Sequence, residues 1–154
     1  MFMKSIQSLC LIQSILMKTD LSNATFIIPI RIESDDRLRN VVTSIAFLVE
    51  NFDTNIIVKE VDKESVFQTE VLPIFEEILE VDLWKNFHHI FERSEEPLFH
   101  RQRVLNEMIA ECDTDIVVNY DCDVILPMKS YELAYNGIVA VSYTHLTLPT
   151  TYGV

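Results

Sequence analysis

Short apolar runs alternate with apolar stripes at helical spacing through most of this chain, and that alternation most constrains what it can fold into. Ala24-Thr25-Phe26-Ile27-Ile28-Pro29-Ile30 reads as a buried strand, closed by a proline that has no amide to give a ladder. Ser34 suits a helix cap, Asp35 and Asp36 suit a first turn, and Leu38, Val41, Val42, Ile45, Val49 and Phe52 share one helical face. A second strand is expected at residues 55–60. A second helix is expected on Val71, Ile74, Phe75, Ile78 and Leu79, and a third strand at residues 88–91. Pro97 suits the first turn of a helix whose face is Val104, Leu105, Met108, Ile109 and Cys112, which leads into a fourth strand at residues 116–119. After Pro127 only a short helix is expected, over residues 129–136. Strand and helix in turn predict right-handed βαβ units, and so an α/β fold with a mostly parallel sheet covered by helices on both faces.

With 154 residues, 49% of them apolar, one domain with a sizeable core is expected. The formal charge of −12 opposes binding to nucleic acid, which rests on neutralising phosphates with Lys and Arg. Cys10, Cys112 and Cys122 form an odd, irregular set that suggests neither a disulfide framework nor a zinc site, and a reducing, cytoplasmic setting fits them. No run approaches the length of a transmembrane segment, and the first residues lack the clean apolar stretch of a signal peptide. Residues 1–23 read as an N-terminal extension, with Met17 as an alternative start, and residues 24–140 as the domain. Residues 141–154 neither alternate nor repeat helically. Ser142 to Thr150 resemble a translated sequencing adaptor, so this tail is expected to be disordered or artefactual.

Glycine occurs only at positions 137 and 153. A P-loop and a dinucleotide fingerprint both need several glycines, so that backbone amides can approach phosphate. A phosphate compound bound here must have its charge offset by a metal or by arginines.

Asp115-Ile116-Val117-Val118-Asn119-Tyr120-Asp121-Cys122-Asp123 runs an apolar strand into two carboxylates at alternate positions. In open α/β sheets ligands bind at that carboxyl end, and two carboxylates there can share a hard divalent cation that keeps positions open for phosphate. Asp113-Thr114-Asp115 has the same spelling but precedes the strand, where a solvated turn is expected. His88 and His89 are neighbours in a strand and so point to opposite faces, which argues against a shared metal. Cys122 reads as a small spacer facing the core.

From about Ala24 to Pro127 the chain resembles the nucleotide-binding half of a GT-A fold, Rossmann-like glycosyltransferase of the family 2-like kind. Members open with an apolar strand, a proline and a short polar loop, matched by Phe26-Ile27-Ile28-Pro29-Ile30-Arg31, and the resemblance places Pro29, Arg31 and Glu33 beside the nucleotide. It gives Glu60 the contact to the base, with Asp62 as the alternative. Asn106 matches an asparagine in the helix before the family's D-x-D, and Arg103 or Arg101 would contact the diphosphate. The D-x-D matches Asp121-Cys122-Asp123, which implies Mn²⁺ or Mg²⁺ on Asp123, with Asp121 on the metal, its water or the ribose. The implied partners are a nucleotide-sugar donor, a UDP-sugar, and a glycan or other acceptor. In this family the acceptor site and catalytic base lie downstream of the motif, so the chain is expected to be a truncated N-terminal part with no catalytic base assigned.

Two rival readings stand beside it. Asp121 could be the nucleophile of a haloacid-dehalogenase-like phosphatase, although Ile125 occupies a position where that family has Thr or Val, and its glycine-rich turn is missing. The chain could also be an inactive fragment that binds nucleotide weakly or merely folds.

Overall fold

The β-branched and aromatic run ending at Ile30 lies at the middle of a sheet and organises the rest. The computed structural model describes residues 18–79 and 85–141. In chain order its elements are β1 (Thr19–Ile30), α1 (Asp35–Asn51) and β2 (Phe52–Asp62). A π-helical turn (Phe67–Val71) then runs into α2 (Leu72–Ile78), followed by β3 (Phe87–Arg93), α3 (Arg101–Ala110), β4 (Ile116–Asn119) and α4 (Met128–Val141). The strands lie in the order β3-β2-β1-β4 and every pairing is parallel, in a register that sets Phe26 against Ile56 on one side and Val118 on the other. The α/β architecture expected from the alternation is therefore present, with a Rossmann-like strand order.

Period-two alternation sorts the side chains of the sheet into two cores. Phe26, Ile28 and Ile30 of β1 join Ile56 and Val58 of β2 against Val41, Ile45 and Leu48 of α1, Phe75 of α2 and Tyr131 of α4. Ile27, Ile57 and Val61 face the other way, onto Val104, Leu105 and Met108 of α3. Helices thus cover both faces. The chain moves outward from β1 to β3 with its helices on one face, then crosses back to β4 with α3 on the other, as right-handed crossovers require. Each fully buried Ile, Leu or Phe contributes about 1.5–3 kcal/mol by leaving water.

The boundaries differ from the sequence reading in four places. β1 begins at Thr19, inside the stretch read as an extension; the polar residues around a buried Leu21 and a register shift between Asp20 and Thr25 hide this first part of the strand. Phe52, read on the helical face, caps α1 and opens β2, while Pro29 stands next to last in β1, at the strand end as expected. Pro97 is not in a helical turn: α3 opens at Arg101, and Pro97 instead offers its carbonyl to Arg31 Nη1 at 3.1 Å. α4 runs to Val141, longer than expected. Ser34 does cap α1, its Oγ accepting from the Arg37 amide at 3.2 Å, with Asp35 and Asp36 in the first turn. The expected tail and most of the N-terminal extension lie outside the described residues. Among the described residues no helix is long and apolar enough to cross a membrane.

Leu48 has no exposed surface and sits between α1 and the sheet. Leu48→Ala should cost about 2–5 kcal/mol in urea unfolding. Ile109→Ala, at a position 51% exposed on α3, should change stability by no more than about 0.5 kcal/mol.

Candidate functional site

After β3 the chain crosses to the far side of β1, so the order of the strands reverses between β1 and β4. Crevices at such reversals, outside the carboxyl ends of the strands, are where ligands bind in open α/β sheets. Two loops border this one: residues 31–34 after β1 and residues 120–127 after β4.

The second loop is held from both ends. The Tyr120 amide donates to the Ile27 carbonyl at 3.1 Å, extending the ladder one residue past β4. The ring of Tyr120 packs edge-on against Phe26 with centroids 5.6 Å apart, and its hydroxyl donates to the Val124 carbonyl at 2.8 Å. Tyr131 of α4 lies 3.2 Å from that hydroxyl and accepts from the Leu126 amide at 3.1 Å. From α1, Ser44 donates its hydroxyl proton to the Cys122 carbonyl at 2.6 Å. Burial first, then the charge of Asp123, pushes the Cys122 thiol up to about 12, so it stays neutral and packs as the spacer expected from the sequence.

On this loop Asp121 and Asp123 turn to different helices. Asp121 Oδ1 lies 2.6 Å from Arg101 Nη2 at the start of α3, and the same nitrogen donates to Asn119 Oδ1 at 3.2 Å. Asp123 accepts from Arg37 Nη1 at 3.3 Å and from Asn40 Nδ2 at 2.9 Å, both on α1. The two carboxylates are 57% and 54% exposed, so each ion pair contributes only about 0–1 kcal/mol and can be exchanged at small cost. Among the described residues no group of three or more His, Cys, Asp or Glu side chains gathers around a metal position. Two hard carboxylates still suit Mg²⁺ or Mn²⁺, which take the rest of their shell from water and from phosphate oxygens.

The other residues picked from the sequence divide sharply. Glu60 has no exposed surface: Oε2 accepts from Ser65 Oγ at 2.5 Å and Oε1 from the Phe67 amide at 3.1 Å, so its carboxylate holds the π-helical turn and is not open to a base. Asp62, two residues on, is partly exposed at the strand end, with Oδ1 accepting from the Lys63 amide at 2.7 Å. Arg31 is buried, with Nε donating to the Val61 carbonyl at 2.8 Å and its guanidinium over the Phe99 ring, so it clamps the ends of β1 and β2. Arg103 is held by Glu92 at 2.7 Å and Glu107 at 2.8 Å; of the two candidate arginines, Arg101 is the one that reaches Asp121. Asn106 is exposed on α3 and accepts from Gln102 at 3.3 Å. Glu33 is exposed in the first loop, and Pro29 is half-buried below it.

The sequence reading missed Arg37, Asn40 and Ser44. Their spacing of three and four residues marks a polar stripe along α1, and that was the available signal. Asp115 lies at the opposite end of β4, where Asn23 donates to its Oδ2 at 3.0 Å and ties the start of β4 to the middle of β1, as a structural turn should. Comparison of the chain with family models, with curated proteins and with solved structures found no match in any of the three.

Burial raises the Glu60 carboxyl, but the His89 imidazole 3.3 Å away and hydrogen bonds from Ser65 and the Phe67 amide outweigh it and hold it below its ordinary 4.5. A lowered carboxyl stabilises the fold above its unfolded value and loses that contribution as pH falls through the folded one. The stability difference between wild type and Glu60→Gln should therefore be constant above pH 4.5 and shrink in more acidic buffer. Urea unfolding across pH checks this; a difference that widened in acid would have the wrong sign.

Proposed function

We propose that this chain is the nucleotide-sugar-binding part of a metal-dependent glycosyltransferase with a GT-A fold, acting on a UDP-sugar donor and a glycan or other acceptor. The observation that supports this best is the placement of Asp121 and Asp123 at the carboxyl end of β4, beside the β1 loop, where the strand order of a parallel sheet reverses. Mn²⁺ or Mg²⁺ held by Asp121 and Asp123 would supply Lewis-acid stabilisation of a departing diphosphate. With no glycine near the crevice to bring backbone amides onto phosphate, side-chain cations must hold the remaining charge. Arg37 and Arg101 are the cations within reach of the aspartates. In this reading Asp62, not the enclosed Glu60, meets the base.

Calorimetry with UDP tests the proposal. Binding should require Mn²⁺ or Mg²⁺ and disappear in EDTA. Asp123→Ala should abolish the metal-dependent part, while Asp113→Ala, at the other end of β4, should leave it unchanged. Equal affinity with and without the cation would remove the metal from the reading.

A further inference from the structure

Two arginines and an asparagine from opposite faces of the sheet converge on the aspartate loop, and the carboxylates they hold are the ones a cation would need. Arg37 and Asn40 come from α1 and meet Asp123; Arg101 comes from α3 and meets Asp121. None of the three has another acidic partner among the described residues, whereas Arg103 is bound by two carboxylates and Arg39 by Asp36. The loop backbone is fixed independently of them, by Ser44, Tyr120 and Tyr131. The ion pairs can thus open by side-chain rotation alone.

We propose that Arg37 and Arg101 are the diphosphate-binding side chains of this site, held on Asp123 and Asp121 until a divalent cation displaces them, with Asn40 helping to hold Asp123 meanwhile. This rests on the reading of the crevice as a nucleoside-diphosphate site and assigns the groups that take the phosphate charge there. The cation and the arginines compete for the same carboxylates while no phosphate is present. Once a diphosphate arrives, both bind it, the cation from the carboxylate side and the guanidiniums by paired N–H donors that match phosphate oxygens. Competition becomes cooperation, and the two regimes carry opposite signs for the same mutation.

Manganese binding read from the fall of the free Mn²⁺ paramagnetic resonance signal, together with calorimetry of UDP in saturating Mn²⁺, distinguishes them. Arg37→Ala should bind Mn²⁺ alone roughly two- to fivefold more tightly, because a weak exposed ion pair no longer opposes it. The same variant should bind UDP with Mn²⁺ about tenfold or more weakly, because a charge-assisted contact to phosphate is lost. Arg101→Ala should behave alike, Arg37→Lys should recover part of the UDP affinity, and Arg39→Ala should change neither quantity. If wild type binds UDP with Mn²⁺ but Arg37→Ala moves both affinities in the same direction or moves neither, the exchange is overturned while the site reading stands. If wild type binds no UDP under any condition, the site reading falls and this assignment with it.

Discussion

β1 is hydrogen-bonded along both edges, to β2 and to β4, and both the cores and the crevice depend on that double pairing. Because a strand shows alternate side chains to alternate faces, one apolar run, Phe26 to Ile30, serves two helix layers at once. Phe26, Ile28 and Ile30 seat α1 and α4, and Ile27 seats α3. A one-residue slip of β1 would exchange the two sets and leave each facing the wrong helices. The same central position puts the two loops leaving β1 and β4 side by side, so the site is a by-product of strand order, not of loop length.

Much of this was legible in the sequence because burial on both sides makes strands read as continuous apolar runs and helices read as stripes. β4 coincides with the expected residues 116–119, and Ser34 with the expected cap. What was missed has a common cause. The first half of β1 carries Asp20, Ser22 and Asn23 at exposed positions, so no apolar run announces it; only pairing with β2 makes it a strand. The partner of a charged side chain is equally invisible in one dimension. Arg103 and Arg101 differ by two residues on one helix, yet one faces Glu92 on β3 and the other Asp121 beyond β4.

Glu60 illustrates how a polar residue at a strand end can be read for chemistry when it serves architecture. It shares parity with Ile56 and Val58, so the period of two already directs it to the buried face. There it accepts from one hydroxyl and one amide, while His89 stacks on Phe67 with ring centroids 4.3 Å apart and brings Nε2 to 3.3 Å from the carboxylate. A buried carboxylate needs such partners, because leaving it unpaired would cost several kcal/mol of lost solvation. The polar cluster fixes the turn that follows β2.

Pro29 sits two residues beyond Ile27, whose carbonyl accepts the last bond from the β4 side. Odd positions of β1 direct their polar groups toward β4, so the next rung of that ladder would need an amide from residue 29, which proline does not have. β4 therefore cannot zip further along its neighbour, even though the chain after Asn119 continues in the same direction. A single imino acid on one strand sets the length of another. By halting the ladder there it releases the following residues from flat pairing and leaves their shape to Ser44, Tyr120 and Tyr131.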